Sequence, residues 1–224
     1  MVTPELFPTD WASAVVLVPH PDDPEYLSAA VAKWTAAGRH VTYILGCRGE
    51  AGIEGMATEQ AGPLREDEQR RAAAIAGVED VRFWDEPDSN IRNTAALRDK
   101  IAETLTVSKP DLVVTVFGGA EWAPGAPNQR DHIEFAAAVE QAYDEMTLPP
   151  RWLFAAAPPP THVEVVDEFV DVAVESFAAH ERYLMALDAH TPALEQARQQ
   201  LEMALPVRGD IGNHRVAQFV KLRG

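Results

Sequence analysis

Two histidines and three aspartates carry the chemistry this chain can do. His20, Asp22 and Asp23 stand together in His20-Pro21-Asp22-Asp23-Pro24, while Asp131 and His132 are neighbours far along the sequence. An imidazole and two carboxylates stiffened between prolines make a metal-ligand group that lacks one member, and His132 is the natural third ligand. Two histidines and one carboxylate with open positions is how catalytic zinc is held. That arrangement leaves Asp22 free to take a proton from water. A plainer reading stands beside it, with Asp22 and Asp23 capping a helix that begins near Glu25. The metal reading gains weight because His132 follows Asp131 at a second strand–helix junction.

These side chains need a scaffold that brings strand ends to one edge. Ala14-Val15-Val16-Leu17-Val18 is an unbroken apolar run rich in β-branched residues, which reads as a strand buried on both faces. It runs directly into the His-Pro-Asp-Asp loop, at the carboxyl edge where open α/β sheets keep their sites. Glu25 to Ala37 has helical spacing and stops at Gly38, and His40 to Leu45 is a second strand. A glycine-rich loop from Gly46 to about Gly62 follows at the same edge, then a helix from Leu64 to Ala76. The chain continues with a strand within Val78–Trp84, a helix capped by Asn93 or Thr94, and a strand at 112–117. A long loop from Gly118 to Gln129 then leads into a helix from Arg130 to Met146. Beyond Pro149 the sequence predicts strands at 151–155 and 162–166, the latter at an edge. Helices follow at 170–187 and 191–204, and a closing segment at 217–220. The β-α alternation predicts an α/β, Rossmann-like three-layer fold with a mostly parallel central sheet. One domain over residues 1–224 is expected, with a core at about 12–146 and a pocket-closing part at 147–224.

The bulk numbers narrow the partners. A formal net charge of −16 argues against nucleic acid and against anionic membrane surfaces. The single cysteine, Cys47, rules out an internal disulfide and a cysteine-rich zinc module. No signal-peptide pattern opens the chain and no long apolar window interrupts it, so a cytoplasmic protein is expected. The first strand is followed by no G-x-G-x-x-G, which disfavours a dinucleotide.

The motifs together resemble one family. Pro19-His20-Pro21-Asp22-Asp23-Pro24-Glu25, Arg48-Gly49-Glu50-Ala51-Gly52, Leu64-Arg65 with Glu68 and Ala72, and Asp131-His132 are similar in order and spacing to the LmbE-like, or GlcNAc-phosphatidylinositol de-N-acetylase (PIG-L), family. The resemblance spans roughly residues 12–145, and Arg215 to Phe219 resembles the family's closing segment. It implies a zinc-dependent amide hydrolase that removes an acyl group from an aminosugar or related glycoside. It further implies one zinc per chain on His20, Asp23 and His132, Asp22 as general base, and Arg65 and Asp88 holding substrate.

One departure touches the mechanism. The family's last motif is usually His-x-Asp-His, and here Gln129 takes the first histidine's place in Gln129-Arg130-Asp131-His132. A glutamine can donate a hydrogen bond to a developing oxyanion but cannot supply a proton. Asp22 is then expected to return its proton to the amine, with Asp131 supporting His132 or the surroundings of Asp22. His162 and His214 are alternative proton donors from the C-terminal part. His40, His180 and His190 read as surface or helix-end residues, Cys47 as a small buried residue, and Trp122 as loop packing or a sugar platform. Two other readings remain: a member that binds a sugar or amide without turnover, and a non-heme iron oxygenase using the same triad. The Trp152-Leu153-Phe154 strand is expected as a sheet edge able to pair with a second copy of the chain.

Overall fold

The computed structural model describes residues 3–123 and 125–224. Residues 1 and 2, and position 124 of the expected long loop, lie outside the described residues. In chain order the elements are β1 (Glu5–Leu6), β2 (Ser13–Val18), α1 (Ser28–Ala36), β3 (His40–Leu45), α2 (Thr58–Ile75) and β4 (Asp80–Phe83). Next come α3 (Ala95–Ser108), β5 (Leu112–Val116), β6 (Glu121–Ala123), β7 (Ala126–Pro127), α4 (Arg130–Glu145), β8 (Trp152–Ala156) and β9 (His162–Val165). The chain ends with α5 (Val170–Ala178), α6 (Glu181–Leu187), α7 (Ala193–Ala204), β10 (Val207–Arg208) and β11 (His214–Arg223).

The central sheet runs β1-β9-β11-β8-β5-β2-β3-β4, with β10 beside β11. The β8-β5-β2-β3-β4 ladder is parallel throughout, and β11 alone on this path runs against its neighbours. Period-2 alternation divides β2 between two cores. Ala14, Val16 and Val18 join Leu27, Val31, Trp34, Val174 and Phe177 on one face. Val15 and Leu17 join Leu97, Ile101, Leu105, Phe135 and Val139 on the other. The α/β three-layer, mostly parallel architecture read from the sequence is therefore the one observed.

Several boundaries differ, each for a local reason. Helix α2 begins at Thr58, well before the expected Leu64, and runs through Pro63. Gly62 faces the 48–50 loop, where a Cβ would stand in ordinary contact, 3.4 Å from that of Glu50. Thr94 does cap α3, its Oγ1 accepting from the Leu97 N–H at 3.1 Å. The helix expected over 170–187 is two, broken at Ala179 and His180. The long loop at 118–129 holds the short β6–β7 hairpin. The edges differ most. β8 lies between β5 and β11, so the expected pairing edge at Trp152-Leu153-Phe154 is an interior strand. β9 is likewise interior, because β1, a strand of two residues near the start of the chain, pairs with its outer side. The closing strand β11 is ten residues long and fills both places.

Candidate metal centre

Strand β2 ends at Val18, and the chain turns at Pro19 into the loop at the sheet's carboxyl edge. The Asp23 carboxylate reaches back to accept from the His20 N–H, with Oδ2 at 2.8 Å. Neither Asp22 nor Asp23 places a side chain on the N–H groups of the short 3₁₀ turn that follows, so the helix-capping reading fails. Asp22 instead has φ of 96°, a left-handed conformation uncommon outside glycine.

His132 enters from the first turn of α4. Donor atoms of His20, Asp23 and His132 lie within 4.8 Å of one another. His132 Nε2 is 3.1 Å from Asp23 Oδ1, yet neither ring nitrogen of this buried histidine makes a hydrogen bond. Two donors that close without bonding each other fit ligands aimed at a common point. The charges fit as well. Asp22, Asp23, Asp88 and Asp131 gather round two imidazoles, with Arg65 the one guanidinium among them. Burial disfavours a charged His20, but hydrogen bonds to Asp131, Asp23 and Asp88 raise it well above the ordinary histidine range. Burial likewise pushes Asp23 up, and His132 and His20 outweigh it and hold the carboxyl well below its usual value. A site that draws positive charge this strongly suits a divalent cation.

Asp131 was expected against His132 or near Asp22. It serves His20: Oδ2 lies 3.3 Å from His20 Nε2, and Oδ1 accepts from the Ile91 N–H at 3.2 Å. Because it lies one residue before His132 on the helix, it faces the other histidine. A carboxylate on the far nitrogen of a metal-binding imidazole fixes its ring and tautomer. Asp131→Ala is expected to weaken metal binding about 10–100-fold, read by competition with a chromogenic chelator.

The two residues expected on substrate are turned inward. Arg65, 2% exposed, donates through Nη2 to Asp22 Oδ1 at 2.6 Å and to the Pro21 carbonyl, and through Nη1 to the Gly49 carbonyl at 3.2 Å. A Cβ at Gly49 or Gly52 would collide with this guanidinium, which explains the glycines of that loop. Asp88 faces His20 Nε2 at 3.4 Å and accepts from the Ala51 N–H at 2.7 Å. Burial raises the Asp22 carboxyl above its ordinary value, against the pull of Arg65.

Other residues fall on either side of their expectations. Cys47 is buried, its thiol directed at the Pro19 carbonyl and pushed up to about 12 by burial, which suits packing rather than attack. Gln129 is exposed at the start of α4. Trp122 is 41% exposed, packs on Phe117 with centroids 5.0 Å apart, and meets the His132 ring edge-on at 6.2 Å. His162 and His214, the alternative proton donors, are engaged elsewhere: His162 lies 3.7 Å from Glu5, and His214 bonds Asp167 at 2.7 Å. His180, expected at a surface or a helix end, does precede α6 but is wholly buried beside Glu25. Sequence reading passed over Gln69, whose position one turn after Arg65 on α2 was the available signal.

Comparison with known proteins adds to this geometry. A family model described as GlcNAc-PI de-N-acetylase matches residues 15–143. No curated protein matches the chain in sequence. Among solved structures, the N,N'-diacetylchitobiose deacetylase of Pyrococcus horikoshii superposes with a TM-score of 0.77 at 15% identity, covering 95% of this chain and 84% of its own. The 4-carboxy-2-hydroxymuconate hydratase of Pseudomonas putida KT2440 gives 0.76 at 16% identity, covering 95% and 97%. A zinc-inhibited form of a teicoplanin deacetylase gives 0.65 at 16%, covering 94% and 98%. At such identities the likeness is one of fold, and this fold hosts more than one reaction.

Proposed function

This chain belongs to the GlcNAc-PI de-N-acetylase (PIG-L) family, and on that premise we propose that it is a metal-dependent hydrolase removing an acetyl or other acyl group from the amine of an aminosugar-like small molecule. The observation that carries the reading is the convergence of His20, Asp23 and His132 beside Asp22. A zinc ion held by those three residues would polarise an amide carbonyl and bring the pKa of water towards neutrality. Arg65 engages Asp22 through Oδ1 and leaves Oδ2 as a proton acceptor. Asp22 takes the proton as water attacks the amide carbon. It then returns that proton to the nitrogen as the C–N bond breaks, so that acetate and a free amine leave. Asp131 and Asp88 hold His20 in orientation. The Gln129 amide, at the start of the helix that carries His132, donates a hydrogen bond to the oxygen where negative charge develops. A cytoplasmic setting is part of the same proposal. Among the described residues no helix is long and apolar enough to cross a membrane.

Neither Arg65 nor Asp88 is free to meet substrate, so ring recognition falls to the exposed Trp122 beside His132. Trp122→Ala is expected to raise KM for N-acetylated pyranosides about 3–10-fold and to leave acyclic N-acetyl amines unaffected. Equal effects on cyclic and acyclic substrates would remove the indole from substrate binding.

The function is tested with the zinc-loaded protein on a panel of N-acetylated aminosugars, following acetate and primary amine together. Equimolar release of both is expected. Binding of an aminosugar with no acetate from any of them would make the chain a binding protein, in which Gln129 has cost the acid step. Hydration of an unsaturated dicarboxylate without amine release would assign it the hydratase's class of chemistry.

A further inference from the structure

We infer that Gln69 is the positioning residue for Asp22, holding the backbone of the base in a conformation it would not otherwise keep. The inference rests on the reading of Asp22 as general base. A non-glycine residue at φ of 96° and ψ of −31° persists only where its surroundings over-determine it. Helix α2 supplies the restraint from two points one turn apart. Arg65 takes the Asp22 carboxylate and the preceding carbonyl of Pro21. Gln69 takes the backbone, its Oε1 accepting from the Asp22 N–H at 3.0 Å.

The other end of the Gln69 amide is spoken for as well. Its Nε2 donates to Glu25 Oε1 at 3.0 Å, which also fixes which end of the amide is oxygen. The Ser176 hydroxyl of α5 lies between Glu25 Oε2 and the Ala72 carbonyl. His180 closes the group, with Nε2 3.6 Å from Glu25 Oε1. Glu25, Gln69, Ser176 and His180 are all fully buried. Glutamine is the side chain this place requires. It must accept from an N–H at one end and donate to a carboxylate at the other, and glutamate would instead set a second carboxylate against Glu25. Through this chain of bonds helix α5, far along the chain, supports a residue whose carboxylate works near the start of the sequence.

The test uses the zinc-loaded full chain and its Gln69→Met variant, which keeps shape and loses both hydrogen bonds. In the wild type, the Asp22 amide is expected to exchange with solvent about 100-fold more slowly than an unstructured amide. In Gln69→Met that exchange is expected to rise about 10-fold, with the Leu17 and Val18 amides of β2 unchanged. Turnover is expected to fall about 10–100-fold through kcat, with KM and zinc content held and the acid limb of the pH–rate profile displaced. A folded, zinc-loaded variant with wild-type kcat and a protected Asp22 amide would overturn the inference. So would a wild-type Asp22 amide that exchanges at the unstructured rate, an outcome that needs no variant to fold. A fast amide in Gln69→Met together with full activity in Asp22→Asn would leave Gln69 in place and remove Asp22 as base.

Discussion

Asp22→Asn is expected to lower kcat by about three orders of magnitude, within the range that general-base catalysis contributes, while zinc content stays at the wild-type level. The substitution is nearly isosteric. Asparagine keeps an oxygen that Arg65 Nη2 can reach, now 2.6 Å from Asp22 Oδ1, and it tolerates the positive φ of 96° better than most residues. It gives up the ability to hold a proton taken from water, together with the negative charge that faces Arg65. Metal binding is expected to survive, because His20, Asp23 and His132 supply the converging donors. Turnover followed by amine release, with zinc measured on the same sample, reads the two effects separately. Wild-type kcat in a zinc-loaded variant would remove Asp22 from the chemistry.

The second large effect concerns the metal itself. His132→Ala is expected to take zinc from about one per chain to near none, with activity lost in parallel. Stability gives an independent reading, since a ligand that binds only the folded chain at about 100 times its Kd adds roughly 2.7 kcal/mol. For a chain of this size that corresponds to a rise of about 5–10 °C in Tm on adding zinc to the stripped wild-type protein. In His132→Ala the rise is expected to vanish. The sign follows from the site. With no cation the carboxylates of Asp22, Asp23, Asp88 and Asp131 crowd together around Arg65 and the two imidazoles, so a bound cation relieves repulsion among them. A zinc-dependent Tm that is the same in both proteins would place the ion elsewhere.

The ligand group was legible because its parts are local. A proline-bounded His-Pro-Asp-Asp after a buried strand, and a histidine in the first turn of a helix after another, fall at one sheet edge whenever the sheet is parallel. The fold was legible for the same reason, since apolar runs such as Val15 to Val18 read as strands whatever their neighbours. What stayed hidden depends on partners distant in sequence. Glu25 looks like an ordinary acidic residue at a helix start, and nothing near it announces Gln69 or Ser176, which its two oxygens meet. His180 resembles a surface residue until α5 and α6 are seen to break at it and pack it away. The sequence places Asp131 against His132 or near Asp22, but helix geometry points adjacent residues in different directions, and it reaches His20. The edge expected at Trp152 failed because β11 extends well beyond the four residues whose pattern was visible.

The most direct test follows acetate release from an N-acetylated aminosugar by one preparation of the full chain: as purified, after chelation, and after zinc is restored. Release that stops on chelation and returns with about one zinc per chain is the result predicted for the triad of His20, Asp23 and His132. Release that continues undiminished in the chelated protein would contradict the account.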